Sequence, residues 1–279
     1  FLKVYLPFAL ICISHFLNCV FQKPSEKKPD SELLLALLLI NQPSSSTQTI
    51  YEDSADNVVS AQNHTGEGYY DKSKAVNGVR GGGCCSGSSD VFSLASTGTG
   101  ASIVLEWKNK KIMNGSGVDF VVFENPFKIN GSSSAVFMEP IIVEVSKDNV
   151  NYCGFNPDYS YPNESVYSNN PAYWTRFAGL TPVLYNEETN RLAQSELYDI
   201  AKSGGDGFDL DNLSSSNSYG IGCSASLASD IKSNGFIYLR LTSATDRTNT
   251  DNELKFPKDS AAIDGPDIDG VFARYRLPR

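Results

Sequence analysis

Histidine is scarce in this sequence: His15 and His64 are the two histidines among 279 residues. His15 belongs to an apolar N-terminal run, and His64 lies in the polar stretch "AQNHTGEG". Ser–His–Asp and Cys–His catalysis need a histidine base, and no G-x-S-x-G turn leads into a helix. The C-x-x-C and histidine spacings of zinc sites are also missing. We therefore expect no zinc site and no catalytic constellation, with a hydrolase built on His64 as the weaker alternative.

Blocks of basic residues are missing too. The formal net charge is −9, and an acidic chain without a Lys/Arg cluster repels phosphate backbones, so we expect no nucleic-acid partner. The glycine run "RGGGCCSGSSD" (80–90) has neither the lysine nor the helix of a phosphate-binding loop. It is better interpreted as a tight loop held by disulfides.

The chain has no apolar run of the length that spans a membrane, but its N-terminus predicts export. After Lys3 the run "VYLPFALICISHFLNC" ends at Cys19. A basic residue, an apolar core and a terminal cysteine are typical of a bacterial lipoprotein signal, in which Cys19 is lipidated. Phe16 and Asn18 depart from the usual lipobox and fit its looser spirochaetal version. An uncleaved anchor is the alternative, although about 16 residues is short for a span of about 20.

Three segments follow from this interpretation. Residues 1–19 are the predicted lipoprotein signal. Residues 20–50 are a polar tether with one short apolar segment, "LLLALLLI" (33–40), which is too short to cross a bilayer. Residues 51–279 are the folded domain. We expect the protein to be held by its lipid in the bacterial outer membrane, facing the outside or the periplasm.

From about residue 50, short apolar or alternating runs rich in Val, Ile, Phe and Tyr are separated by turn-forming residues. Many short strands with few helices between them predict an all-β fold, a β-sandwich with long loops. The solidly apolar "FVVF" indicates a strand covered on both sides, and the alternating "FIYLRLT" a strand with one outer face. One helix is predicted, over residues 189–201. The predicted strands are 90–95, 102–107, 118–124, 141–146, 173–178, 236–242 and 270–275.

Six cysteines are present, of which Cys12 falls in the predicted signal and Cys19 would be acylated. The other four allow three pairings, and they are Cys84, Cys85, Cys153 and Cys223. A bond between adjacent cysteines is strained, so we expect Cys84 and Cys85 each to pair with one of the other two. Free buried thiols are the alternative.

Several segments occur together in an order that resembles a known family. They are "KAVNGVRGGG" (74–83), "SIVLEW" (102–107), "NGSGVDFVVFENPF" (114–127), "EPIIVEVSKDNVNYCGF" (139–155), "FAGLTPVLYN" (177–186), "GGDGFDLDNL" (204–213), "GFIYLRLTSA" (235–244) and "GPDIDGVFARY" (265–275). Together they resemble spirochaetal, chiefly leptospiral, surface lipoproteins of uncharacterised function. More distantly, the chain is similar to secreted bacterial cell-surface domains with a jelly-roll, galactose-binding-like sandwich. The resemblance implies a surface lipoprotein with a β-domain, and it supplies no catalytic residues.

Glycoside hydrolysis would need only two carboxylates at a suitable separation. Acidic residues are plentiful, and nothing in the sequence selects a pair. Glu124 is the most interesting, because it ends an apolar strand directly before "NPF", where burial would raise its pKa. The simpler interpretation is a carboxylate that accepts backbone N–H bonds at the strand end. A carbohydrate-active hydrolase is therefore the alternative function.

Calcium is the one cofactor that the sequence suggests, since hard cations bind several oxygen ligands. Two acidic turns offer Asp206, Asp209, Asp211, Asp264, Asp267 and Asp269. The second turn fails as an EF-hand, because Gly265 and Arg276 would occupy positions that need acidic residues. A site would require the two turns to fold together. Otherwise these aspartates cap turns by accepting nearby N–H groups.

The stretch "NPDYSYPNESVYSNNPAYW" (156–174) is long, polar and rich in tyrosine, as functional loops often are. Its candidate ligand-binding residues are Tyr159, Tyr161, Tyr173 and Trp174, although such a loop can equally cover a sheet edge. We expect a binding domain without catalytic activity, whose ligand is a glycan or a host or matrix protein. A purely structural envelope protein is the remaining alternative.

Overall fold

The computed structural model describes residues 53–62, 69–83, 87–94, 101–132, 134–215, 221–246, 256–260 and 265–279. In these ranges the chain consists mainly of antiparallel strands with few helices, which confirms the predicted all-β class. The predicted signal and tether, residues 1–50, lie outside the described residues.

The described strands are short. They are β1 (Asn57–Gln62), β2 (Phe92–Ser93), β3 (Ser102–Glu106), β4 (Lys110–Ile112), β5 (Phe120–Phe123), β6 (Phe127–Lys128), β7 (Val136–Phe137), β8 (Ile141–Ser146), β9 (Tyr152–Gly154), β10 (Asp158–Tyr159), β11 (Trp174–Thr175), β12 (Asp206–Phe208), β13 (Tyr238–Ser243), β14 (Asp267–Ile268), β15 (Gly270–Ala273) and β16 (Arg276–Pro278). Two α-helices are described, α1 (Ile200–Ser203) and α2 (Ala225–Asn234).

A five-stranded antiparallel sheet runs in the order β1-β3-β13-β8-β9. In β13, Leu239 and Leu241 are buried while Tyr238 and Arg240 stay partly exposed, as the alternation of "FIYLRLT" predicts. Leu239 lies opposite Leu105 of β3 and Val145 of β8, so one face of this sheet is continuously apolar. That face forms the largest part of the core.

A second antiparallel sheet has the order β12-β5-β15, with β5 in its centre. Phe120 and Val122 of β5 join the core cluster of the five-stranded sheet. Val121 and Phe123 point to the other side and pack in a separate cluster with Phe272 and neighbouring aromatic residues. Strand β5 is therefore buried on both faces, as "FVVF" predicts.

Each of the seven predicted strands overlaps an observed one, but the helix prediction is wrong. Residues 189–201 form a 3-10 turn over Gln194–Tyr198 followed by the start of the four-residue α1. The Asp199 side chain accepts the N–H of Ala201 and caps α1, which separates the two turns. The longer helix α2 follows Ser224, whose hydroxyl caps it by accepting the N–H of Leu227.

The chain returns to the end of β5 through β14 and β15. Strand β14 pairs with β2, with Asp267 opposite Ser93. Asp269 then donates its N–H to the carbonyl of Phe123 at 3.0 Å, and Gly270 begins the pairing of β15 with β5. Residues from three distant parts of the sequence thus meet where β5 ends.

Candidate functional site

A pocket of about 230 Å³ opens at the end of β5. We call it the Glu124 pocket. Its lining combines carboxyl, amide and hydroxyl groups with apolar side chains. Its described lining residues are Tyr69, Gly87, Ser88, Ser89, Glu124, Asn125, Phe127, Phe137, Met138, Glu139 and Asp267.

Glu124 follows directly on the buried strand β5, and its side chain is 3% exposed. Its Oε1 accepts the N–H of Asp267 at 2.8 Å, as the simpler interpretation of this residue predicts. Its Oε2 is buried and has no hydrogen-bond partner among the described residues. Burial, followed by the nearby carboxylates of Glu139 and Asp267, raises the pKa of Glu124 well above its usual value. Glu124 therefore combines a raised pKa with an unused acceptor at a cavity.

Asn125 fixes one wall of the pocket. Its Nδ2 donates to the carbonyl of Ser88 at 2.9 Å and to Oδ2 of Asp267 at 3.3 Å, and its Oδ1 accepts the N–H of Ser88. Asp267 also accepts the hydroxyl of Ser93. A Cβ at Gly87 would lie 2.3 Å from Oδ1 of Asn125, so a larger residue there would displace the Asn125 side chain. These bonds hold the segment at residues 87–89 against the end of β5.

Gly179 lies close to Glu139 and Glu124, two residues that line the pocket. Its φ of +79° is in the left-handed region, and a Cβ there would lie 2.5 Å from the carbonyl oxygen of Glu139 and 3.5 Å from Cγ of Glu124. Glycine is the residue that combines this backbone conformation with so close an approach. The next two residues, Leu180 and Thr181, bind Asp206 through their N–H groups.

Aromatic rings make up most of the apolar lining of the Glu124 pocket. Phe127 of β6 and Phe137 of β7 are stacked, with ring centroids 5.0 Å apart and planes inclined by 16°. Tyr69 lies at the edge of the pocket, and its side chain is 37% exposed. Its carbonyl accepts the N–H of Ser93 at 2.9 Å, so the backbone of Tyr69 is anchored beside the pocket.

The first acidic turn lies on the far side of β5 from Asp267. Asp206 belongs to β12 and accepts the N–H of Leu180 at 2.9 Å and the hydroxyl of Thr181 at 2.8 Å, and burial raises the pKa of Asp206 to about 6. Asp209 accepts the N–H of Asp211, and Asp211 accepts the side-chain amide of Asn114. These aspartates therefore hold protein N–H and O–H groups.

The second acidic turn has the same character. Both oxygens of Asp269 accept the N–H of Arg80, each at 3.0 Å, and burial raises the pKa of Asp269 well above its usual value. Asp264 lies outside the described residues. Since β5 separates β12 from β15, the structure does not bring the two turns together. Among the residues described, no group of three or more His, Cys, Asp or Glu side chains could hold a metal ion.

A second pocket of about 240 Å³ adjoins the first acidic turn. Asp206 and Asp209 line it together with Arg176 and the rings of Phe155, Phe177 and Phe208. Arg176 has a φ of +63° and donates through Nε to the carbonyl of Asn156 at 2.6 Å. This pocket places a cation beside its carboxylates.

The tyrosine-rich loop turns mostly inward. Trp174 is 3% and Tyr159 2% exposed, and their ring centroids lie 3.9 Å apart in a core cluster. Tyr161 and Tyr173 pack against that cluster and keep part of their surface exposed. The structure therefore supports the covering role of this loop, and of the four candidates only Tyr161 and Tyr173 present surface to a ligand.

The disulfide pairing differs from our expectation. Cys153 of β9 is bonded to Cys223, with their Cα atoms 4.8 Å apart, so neither pairs with Cys84 or Cys85. The predicted pairing assumed that the adjacent cysteines would need distant partners. The fold instead brings β9 beside the segment that precedes α2, where the carbonyl of Ser214 also lies close to both sulfur atoms. Cys84 and Cys85, like Cys19 and His64, lie outside the described residues.

No described helix is both long and apolar enough to cross a membrane. Comparisons with protein-family models, with curated proteins and with solved structures gave no match. The resemblance to spirochaetal surface lipoproteins therefore stays a prediction, and the geometry of the Glu124 pocket carries the functional argument.

Proposed function

We propose that this protein is a lipid-anchored bacterial surface protein whose jelly-roll-like β-sandwich binds a glycan in the Glu124 pocket without catalysing a reaction. The observation that carries the proposal is the composition of that pocket. The carboxylate, amide and hydroxyl groups of the lining can bind sugar hydroxyls, and the aromatic side chains of the same lining can stack on a sugar ring.

Two further observations support export to the surface. The N-terminal run ending at Cys19 is typical of a lipoprotein signal. The disulfide between Cys153 and Cys223 is a bond that persists in oxidising compartments outside the cytoplasm. If Cys19 carries the lipid, the native protein partitions into detergent, and Cys19→Ala abolishes that partitioning. Partitioning that survives Cys19→Ala would favour an uncleaved anchor.

A hydrolase is the second candidate, and one observation favours it. A carboxyl with a raised pKa beside a second carboxylate is the pattern of a general acid with its partner. Glu124 and Asp267 have this relation, because the carboxylate of Asp267 contributes to the raised pKa of Glu124. In a hydrolase Glu124 would donate its proton to the glycosidic oxygen, which a glutamine cannot do.

Calcium remains a prediction of the sequence alone. The described aspartates of the two turns accept N–H and O–H donors, which a cation would have to replace. A rise in melting temperature on adding millimolar calcium to chelator-treated protein would support a site, and an unchanged melting temperature would count against it.

The glycan proposal is tested by array binding with two neighbouring variants. Tyr69→Ala removes the aromatic edge of the pocket, whereas Tyr70→Ala removes a tyrosine that is 59% exposed and does not line it. We expect Tyr69→Ala to weaken glycan binding at least tenfold and Tyr70→Ala to leave it within twofold. Equal binding by both variants, or binding of a host protein without any glycan, would contradict the proposal.

The same glycans distinguish binding from hydrolysis. Incubation with the wild-type chain should release no reducing sugar over many hours. Release that disappears in Glu124→Gln and persists in Glu188→Gln, an exposed carboxylate away from the pocket, would establish the second candidate instead.

A further inference from the structure

Given the proposed glycan function, we infer that the Glu124 pocket takes a protonated amine, so that the bound sugar is an amino sugar with a free ammonium group. Three observations carry this step: the charge of the lining, the unused oxygen of Glu124, and the aromatic rings that line the same pocket. Each points to a cation that also donates hydrogen bonds.

The charged side chains among the described lining residues are all acidic. Glu124, Glu139 and Asp267 all line the pocket, and none of its described lining residues is lysine, arginine or histidine. The three carboxyl groups lie close enough for the other two to oppose the ionisation of Glu124. A monovalent cation in the cavity would reduce this repulsion, and the net charge of −9 attracts cations to the protein as a whole.

Glu124 supplies the hydrogen-bond acceptor. Its Oε1 is engaged by the N–H of Asp267, while its buried Oε2 has no partner among the described residues. Buried carboxylate oxygens are normally hydrogen-bonded, and an exception calls for an explanation. An ammonium group fits, since it brings both positive charge and three N–H donors. A sugar hydroxyl would offer a donor without the charge.

The aromatic residues of the lining suit the same group. They are Phe127, Phe137 and Tyr69; aromatic faces carry negative quadrupole potential, and cations bind to such faces within about 6 Å of the ring centre. Carboxylates and aromatic rings in one pocket are the two elements of ammonium recognition. The Arg176 pocket, lined by Arg176 with Asp206 and Asp209, already has its own cation and should not share this preference.

The test compares sugars that differ at one nitrogen. Ligand-observed NMR and calorimetry on the purified chain would use glucosamine and galactosamine, their N-acetyl forms, and glucose and galactose. n-Butylamine serves as an amine without a sugar. We expect at least one amino sugar to bind tenfold or more tightly than its N-acetyl and neutral counterparts. Glu124→Gln should remove that preference, and Glu188→Gln should keep it.

The outcomes separate this inference from the proposed function. Neutral and N-acetyl sugars that bind as well as amino sugars, with loss in Tyr69→Ala, would overturn the amine and retain the glycan. Tight binding of n-butylamine without any sugar preference would retain the amine and point to a lysine side chain of a protein ligand, against the glycan. No binding of any probe would overturn both. Because glutamine has nearly the shape of glutamate, an unchanged melting temperature of Glu124→Gln shows that a lost preference is not a lost fold.

Discussion

The two ends of strand β5 carry similar carboxyl groups in different circumstances. Asp119 precedes the strand and is fully buried, and Glu124 follows it and is 3% exposed. Asp119 uses both oxygens, accepting the N–H of Gly115 at 2.8 Å and the N–H of Leu210 at 2.7 Å. Glu124 uses one oxygen for a backbone N–H and has a cavity beside it.

This difference in hydrogen bonding distinguishes a structural carboxylate from a candidate ligand-binding carboxylate. Burial raises the pKa of both groups, to about 6 for Asp119, so a raised pKa alone does not distinguish them. The number of carboxylate oxygens that accept a hydrogen bond does distinguish them. Both oxygens of Asp119 accept N–H groups of the protein. In Glu124, Oε2 has no hydrogen-bond partner among the described residues and can accept one from a ligand.

The largest loss of stability is expected when the glycines near the two ends of β5 are replaced by alanine. Gly179 near Glu124 and Gly117 near Asp119 both have left-handed φ, but a Cβ at Gly117 would meet nothing within 4 Å. We expect Gly117→Ala to lower the free energy of unfolding by about 1 kcal/mol, the cost of the conformation. Gly179→Ala adds a clash with the carbonyl of Glu139, for a loss of about 3 kcal/mol. Urea denaturation measures both, and equal losses would mean that the chain at Gly179 can move away.

The next effect compares the same chemical change at both ends. In Asp119→Asn an amide nitrogen faces a backbone N–H, and the orphaned donor should cost about 2 kcal/mol. In Glu124→Gln the carbonyl can keep the N–H of Asp267, and the repulsion by Glu139 and Asp267 disappears. We expect its stability at pH 7 to change by less than about 1 kcal/mol. A loss in Glu124→Gln as large as that in Asp119→Asn would remove the distinction between the two ends.

The last comparison concerns the pH dependence of stability at the Asp119 end. Because the pKa of Asp119 is raised to about 6 in the folded state, the folded protein binds more protons than the unfolded chain between about pH 4 and 6. Its contribution to stability is present below that window and is lost as the pH rises through it. The free energy of unfolding of wild type minus that of Asp119→Asn should therefore decrease from pH 4 to 6, at most about 1.4 kcal/mol per unit. A difference that stays constant over this range would contradict the raised pKa.

Much of the framework could be predicted from the sequence because strands have a local signature. The runs of Val, Ile and Phe marked seven of the sixteen described strands, and the unbroken "FVVF" marked β5 as buried on both faces. Helix α2 gave no such signal, because its large apolar side chains are only Leu227 and Ile231, and the rest of "ASLASDIKSN" is polar or small. Its N-cap, Ser224, is one of many serines in the sequence.

The site was harder to predict for a physical reason. Burial of Glu124 followed from its position after an apolar strand, but its partners did not. Asp267 is 143 positions away and Ser88 bonds to Asn125 across 37 positions. The motif "VDFVVFEN" holds one acid at each end of β5, and nothing local shows which will find both oxygens occupied. The tyrosine-rich loop shows the reverse case. Its sequence suggests that Trp174 can contact a ligand, whereas the fold buries this side chain.

The two tryptophans of the chain lie in separate core clusters, and this gives the protein two optical reporters. Trp107 packs in the cluster shared by the two sheets. Trp174, at the end of the tyrosine-rich loop, packs with Tyr159 and Phe177 in a second cluster. In single-tryptophan variants the emission of each cluster can be followed alone. Coincident transitions would show that the loop and the sheets unfold as one cooperative unit, and an earlier change at Trp174 would show that the loop opens while the sheets persist.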